Sequence, residues 1–373
     1  MPSAMHCWLM RGGKHNVAAS SPGGGHARQE TAQDNYGACI LPGFPRFATL
    51  KKICRAVSLA GICGYAPGLL AAAPFERFYD EGPDAVLAYW TDEKLLAVND
   101  KGDAPIKPPV ADPLNSDGDA WEGKGAWPAG VGRLFFVRPG GQDASCTATV
   151  VESASRDVLV TAAHCLHARS EQGVDAWSSH LLFLPAFRDG TGPQGRYPIR
   201  RMVVPQGALD GTRDGAFLQA LASSEGRVVG DVAGQQAIRF DAPPTAGPRI
   251  SFGYPVWANA YGILPPPPPY ELGNPEYSGQ RLAYCATQRT LFNGCKAFGS
   301  DVDREWGMPC VQGPGSSGGP AMIDFDFDTG RGTVVGTNNM GVIVNERANL
   351  CANPLDDAGR EAFEYISRTR HPH

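Results

Sequence analysis

The stretch GPGSSGGPAM, residues 313–322, sets two adjacent serines in a glycine-rich turn three residues after Cys310. A serine hydroxyl is a weak nucleophile at neutral pH. It reacts beside an imidazole that takes its proton, a carboxylate that fixes that imidazole's tautomer, and donors for a developing oxyanion. Gly315 has no Cβ, so its N–H can turn toward a bound carbonyl beside the N–H of Ser317. The candidate base is His164 in LVTAAHC, residues 159–165, where a β-rich run ends in small alanines before the imidazole emerges. Cys165 follows it and Cys146 precedes it by one strand-turn-strand length, so a Cys146–Cys165 disulfide would clamp the hairpin that bears the base. The candidate carboxylate is Asp214, which opens the short apolar run DGAF. Asp210, in ALDGTRDG, is the rival, but no apolar run follows it directly.

Composition sets the frame for these residues. The chain has 373 residues, 42% of them hydrophobic, enough for one large or two medium cores. Gly 46 and Pro 32 against a charged fraction of 19% suit many short strands joined by tight turns, so the fold class expected is all-β. A net charge of -5 and no Lys/Arg-rich patch argue against a nucleic-acid partner.

Residues 1–49 show no periodicity and are expected to be untranslated or a disordered leader, translation then starting at Leu50. Residues 50–73 have a basic start, an apolar middle and small residues, the pattern of a signal peptide, with cleavage near Ala72 or Ala73. Gly61, Gly64 and Pro67 interrupt the apolar run, so no lasting membrane anchor is expected. The expected location is secreted or periplasmic. Six cysteines then remain, Cys146, Cys165, Cys285, Cys295, Cys310 and Cys351. An even number in an exported chain implies disulfides, and without a close CxxC pair a structural zinc site is a poor fit. No metal or cofactor is expected.

Residues 74–127 are rich in Asp, Glu, Gly and Pro and read as a propeptide or N-terminal arm. From residue 128 the pattern changes to strand-like runs: GRLFFV, SCTATVV, RDVLVTAAHC, HLLFLP, IRRMVVP, DGAFLQA, RISFGYP, RLAYC, PAMIDFDF and TVVGTNNMGVIV. DDAGREAFEYISR, residues 356–368, instead places Ala362, Phe363 and Ile366 on one helical face. Five prolines, Pro265–Pro269, predict an extended exposed loop. The acidic alternation DFDFDTG, residues 324–330, fits a half-buried strand before a turn better than a calcium site.

TAAHC, RDGAF and GSSGGP, in the order His, Asp, Ser, resemble the chymotrypsin/trypsin family of serine endopeptidases. GRLFF, SCTATVV, TAAHC, DGAF, FGYP, YC and GSSGGP in this order are similar to its secreted bacterial, glutamyl-endopeptidase-like branch, over about residues 128–368. The resemblance implies two six-stranded antiparallel β-barrels with a site in the cleft between them, a protease domain over 128–373, and hydrolysis of protein or peptide substrates through an acyl-enzyme. It makes His164 the general base, Asp214 the orienting acid, Ser317 the nucleophile, and Gly315 and Ser317 the oxyanion donors. A monomer is expected.

The resemblance also implies a side-chain pocket built from CVQGPG (310–315) and VVGTNNMG (334–341), hence Val311, Gln312, Asn338, Asn339, Met340 and Gly341. Neither segment holds an Asp or Glu to pair with a basic side chain, nor the histidine associated with glutamyl specificity. The branch pattern favours Cys285–Cys310 and Cys295–Cys351; Cys310–Cys351 with Cys285–Cys295 is the alternative. The departure is Ser316, where trypsin has an aspartate that binds a newly released N-terminus. Serine cannot form that ion pair, so no trypsin-style switch is expected. Two rival readings are a catalytically silent trypsin-like binding protein and an esterase using the same triad; for the latter, a GxSxG elbow in an alternating β/α pattern is absent.

Overall fold

The computed structural model describes residues 74–98, 112–122, 124–169, 175–241, 247–256, 277–288, 292–293, 295, 305–344 and 347–368, all within the compact unit Pro67–His373. The leader, the signal-peptide segment and the five-proline run lie outside the described residues.

In chain order the elements are β1 (Phe75–Phe78), α1 (Pro83–Tyr89), α2 (Asp92–Ala97), β2 (Ser116–Ala120), β3 (Val131–Val137), β4 (Asp143–Val150) and β5 (Val158–Ala162). After a 3-10 turn at Ala163–Cys165 come β6 (His167–Arg169), β7 (Asp175–Trp177), β8 (Ser179–Pro185), β9 (Tyr197–Val204) and β10 (Gly215–Ala220). Then follow α3 (Val229–Ala233), β11 (Ala237–Ile238), β12 (Arg249–Gly253), β13 (Ala283–Thr287), β14 (Phe292–Asn293), β15 (Trp306–Pro309), β16 (Pro320–Asp326), β17 (Arg331–Val344), β18 (Arg347–Pro354) and α4 (Asp357–Arg368).

The first sheet runs β9-β10-β5-β4-β3-β8, and β8 pairs back to β9 through Leu182↔Pro198 and Phe183↔Tyr197. That last pairing closes a six-stranded antiparallel barrel. Period-2 alternation sends Leu134, Phe136, Cys146, Ala148, Leu159, Phe183, Met202 and Leu218 into one buried cluster. The intervening residues, including Phe135, Val160, Leu182, Val203 and Phe217, are also buried, in a second cluster shared with Phe252, Tyr284 and Met322 of the other sheet. Strands covered on both faces explain why GRLFFV reads as a continuous apolar run.

The second sheet follows β14-β15-β18-β17-β16-β12-β13-β2 and curls into a half-barrel. Strands β13 and β15, each one in from an edge, share no ladder among the described residues. The Cys285–Cys310 disulfide joins the middle of β13 to the residue just past β15, stapling the curl where hydrogen bonds do not. Cys146–Cys165 and Cys295–Cys351 complete the set, so the alternative pairing is not adopted.

The arm is built into both halves. β1 pairs with β9 and β2 with β13. Pro83 at the first position of α1, and Thr91 capping α2 by accepting from Lys94 N at 3.3 Å, start two short helices. They bring Val86, Trp90 and Leu95 into the shared core, each such side chain contributing about 1.5–3 kcal/mol on burial. Arg201, on β9, is fully buried and knits three layers together. Its guanidinium pairs with Glu76 of β1, bonds Gln219 Oε1 at 2.7 Å and donates to Ile366 O of α4 at 2.7 Å. On α4, Ala362 and Ile366 are buried and Phe363 packs on Phe217 and Phe240. In the turn after β16, Asp326 accepts from Asp328 N and Thr329 Oγ1, both at 2.9 Å, in accord with the hairpin reading of DFDFDTG. No described helix is long and apolar enough to cross a membrane.

Candidate active site

β5 delivers the base. Its last residue, Ala162, pairs with Gly215 of β10, so the turn carrying His164 lies beside the strand that begins just after Asp214. The carboxylate of Asp214 binds His164 twice, and the Asp214 carbonyl accepts from Ala163 N at 2.5 Å. Its Oδ1 accepts from His164 N at 2.9 Å and its Oδ2 lies 2.8 Å from His164 Nδ1. Its own N–H donates to Asn353 Oδ1 at 3.0 Å, which fixes the aspartate from the second sheet. Asp210 instead closes its own turn, accepting from Thr212 N at 2.9 Å and Thr212 Oγ1 at 2.7 Å. Behind the imidazole, the Cys146–Cys165 bridge ties the turn to β4.

Electrostatics at His164 oppose one another. Surrounding protein disfavours the imidazolium, but the charge of Asp214 and its hydrogen bond favour it, so the pKa stands above the ordinary histidine value. Arg138 pulls it down and Glu305 pushes it up by smaller amounts. The side chain is still 43% exposed on the cleft side.

The serine turn is held by a dense set of local bonds. Ser316 is buried, and its hydroxyl donates to Gly313 O at 2.6 Å. Thr147 Oγ1 donates to Gly315 O at 2.9 Å, Val256 N to Pro314 O at 2.8 Å, and Thr147 N to Ser317 O at 2.8 Å. Gly315 has φ +94, and a Cβ there would come within 2.4 Å of Tyr254 O, so only glycine fits. Among the described residues, the N–H groups of Gly315 and Ser317 donate to no protein acceptor. Both residues line the cleft.

Ser317, 9% exposed, and His164 both line a cleft of about 550 Å³. Arg138, Ser145, Cys146 and His164 form its first-barrel wall; Gly313–Ser317, Asn339, Met340, Gly341 and Leu350 form the other. No hydrogen bond joins Ser317 to His164 in this arrangement. Such contacts are often long in unliganded sites and tighten with substrate.

Of the six residues expected in the side-chain pocket, Asn339, Met340 and Gly341 line the cleft, and Val311, Gln312 and Asn338 do not. Asn338 is fully buried: its Oδ1 accepts from Ser251 Oγ at 2.7 Å, and its Nδ2 donates to Phe252 O at 3.0 Å and Ser316 O at 3.2 Å. Gln312 is fully buried, with Nε2 3.7 Å from Cys285 Sγ, and Val311 packs beside Tyr277 and Ala283. A register shift between Asn338 and Met340 breaks the alternation of β17, which sets both Asn339 and Met340 at the cleft.

Four further residues were not singled out from sequence. Leu350 reaches the cleft because β18 pairs it with Gly341; Arg138 and Ser145 come from the β3–β4 hairpin. Glu305 accepts from Asn339 Nδ2. The two motif segments hold no carboxylate; the buried Glu305, from a third segment, meets the cleft only through Asn339 among the described contacts.

No family model matches the sequence, and no curated protein matches it either. Among solved structures, the chain is similar to the protease Anisep from Arthrobacter nicotinovorans, with TM-score 0.51 and 22% identity over 66% of this chain and 99% of that one. It is also similar to AL20, a thermostable serine protease from an extremophilic microorganism, with TM-score 0.50 and 24% identity over 65% of this chain and 99% of that one. A Glu endopeptidase superposes at TM-score 0.44 with 15% identity, covering 70% of this chain and 100% of that one, and nothing below rests on it. The fold is trypsin-like: a closed six-stranded barrel, a curled half-barrel and a C-terminal helix.

Proposed function

We propose that the chain is an exported serine endopeptidase that cleaves peptide bonds through an acyl-enzyme on Ser317. The observation that carries this is the doubly anchored Asp214–His164 pair facing the cleft wall that holds Ser317. In the reaction, His164 Nε2 takes the Ser317 hydroxyl proton as Oγ attacks the carbonyl carbon. The negative oxygen then sits between the N–H groups of Gly315 and Ser317. The imidazolium returns its proton to the leaving nitrogen as the C–N bond breaks. Water, deprotonated by the same imidazole, releases the acyl group and restores the serine. Asp214 keeps Nδ1 protonated, so that Nε2 is the basic atom.

The fold neighbours are serine proteases, which supports protease chemistry, and three disulfides support an extracellular or periplasmic setting.

The test is fluorophosphonate labelling of the exported protein with the modified peptide mapped by mass spectrometry. Label on Ser317, lost in Ser317→Ala, is the expected result. A folded, processed protein that takes no label would favour the silent binding fold, and label on Ser316 would move the nucleophile by one residue. Turnover of simple esters with no cleavage of any peptide would favour the esterase.

A further inference from the structure

The first-barrel wall of the cleft carries a cation that the chemistry above does not use. Arg138 ends β3 and starts the turn to β4, where its N–H donates to Gln142 O at 2.8 Å and its carbonyl accepts from Gly141 N at 2.9 Å. Gly140 and Gly141, at φ +99 and +88, let the chain reverse there. The guanidinium carbon stands 5.8 Å from the ring centre of Phe136, two residues back on the same face, and the side chain lines the cleft with Ser145, Cys146 and His164. Its charge is felt at His164.

Arg138 makes no ion pair among the described residues. The carboxylate of its own hairpin, Asp143, is committed elsewhere: it accepts from Lys94 Nζ at 3.0 Å and pairs with the Tyr89 hydroxyl. The arm that supplies Lys94 and Tyr89 thus holds Asp143 away from Arg138, which stands at the cleft with no counter-charge among the described residues.

Which part of a substrate meets Arg138 follows from proton transfer. His164 must reach the leaving nitrogen, so the chain after the scissile bond departs along the wall that holds His164. The acyl part lies toward Gly313–Ser317 and Asn339–Gly341. We infer that Arg138 selects peptides with an acidic side chain at the first or second position after the scissile bond. This rests on the endopeptidase reading, and it adds a preference on the leaving side that the triad does not provide.

The experiment compares cleavage of fluorogenic peptides that share one acyl sequence and carry Asp, Asn or Lys at those two positions, with wild-type protein, Arg138→Gln and Arg138→Glu. The readout is the ratio of kcat/KM between acidic and neutral peptides within each protein, measured above the titration of His164. For an exposed pair the expected preference is about two- to fivefold for Asp at low salt, shrinking as salt rises. It should fall to about onefold in Arg138→Gln and turn toward Lys in Arg138→Glu. An unchanged ratio in both variants overturns the inference, as does equal cleavage of all three peptides by wild type. Fluorophosphonate labelling of Ser317 in the same wild-type sample separates the two failures. A sample that labels and cleaves without preference sinks only the role of Arg138, and one that neither labels nor cleaves sinks the endopeptidase reading with it.

Discussion

The hydroxyl of Thr147 donates to the carbonyl of Gly315 at 2.9 Å and accepts from Tyr254 N at 3.0 Å. One side chain of the first barrel thus links the serine turn to the strand end behind it. The bond fixes the peptide plane between Gly315 and Ser316, which lies between the peptide planes that carry the Gly315 and Ser317 N–H groups. Thr147→Val keeps the shape but removes both bonds in a buried place, which should cost about 1–3 kcal/mol of stability. Loss of an aligned oxyanion donor would lower kcat by up to about 100-fold. Denaturant unfolding, set beside peptide hydrolysis under conditions where the variant is fully folded, separates the two effects. Full kcat in a destabilised variant would show that the turn holds its shape without Thr147.

The resemblance to trypsin sets Ser316 at the position of the aspartate that binds a released N-terminus, and its hydroxyl ends on Gly313 O within the turn. The adjoining bonds from Asn338 and Val256 are made by residues already in place. The turn is therefore assembled without a released N-terminus. Ser316→Asp would put a carboxylate in a site 2% exposed, opposite a carbonyl oxygen, with no cation to meet it. The expected cost is on the order of 3–5 kcal/mol, with slower labelling of Ser317. A variant as stable as wild type would mean that a cation does reach this site.

The candidate site residues were legible because His164, Asp214 and Ser317 each sit in a short motif whose neighbours serve the local backbone: small alanines, a strand start, a glycine turn. The rest of the cleft depends on register between distant strands. Leu350 is there because of its partner Gly341, and Asn339 is held there by the buried Glu305. Neither Leu350 nor Glu305 carries a local signal. Val311, Gln312 and Asn338 sit in the same segments, but do not line the cleft. Residues 74–127 read as a propeptide or N-terminal arm without helices because α1 and α2, of seven and six residues, are too short to show a helical period.

The pKa of His164 is raised, and hydrolysis needs its neutral form. Activity should therefore climb with pH to a midpoint above the ordinary histidine value of about 6.5. In Asp214→Asn, both favourable terms from the carboxylate vanish while crowding by protein remains, so the midpoint should move to lower pH. The plateau should also drop by about 10⁴-fold, because the wrong tautomer is no longer penalised. For stability the sign is the reverse of that for activity. A raised histidine pKa stabilises the fold fully at pH below the unfolded value, and that contribution fades as pH rises through the folded one. A pH profile of kcat/KM for both proteins checks the direction; a midpoint that stays put in Asp214→Asn would detach the carboxylate from the imidazole's titration.

Arg201 makes the arm part of the folded body. Its guanidinium is wholly buried and pairs with Glu76, the same Glu76 that accepts from the Tyr365 hydroxyl at 3.0 Å. Glu76→Ala would take that carboxylate from a buried cation that keeps the neutral acceptors Gln219 and Ile366 O among its partners. The cost should be about 2–3 kcal/mol, less than for a wholly buried broken pair because the Glu76 side chain is 19% exposed and those acceptors remain. The same reasoning bears on processing. Removing residues through Val98 would take away β1, Trp90 and Leu95, together with the Val98 carbonyl that accepts from buried Arg133 Nη2 at 2.9 Å. The mature, active protein should therefore begin at or before Phe75. Guanidinium unfolding of Glu76→Ala and mass spectrometry of the exported protein's N-terminus test the two halves of this claim. A fully active form beginning beyond Val98 would show that the arm is a removable cover and that Arg201 and Arg133 find other partners when it leaves.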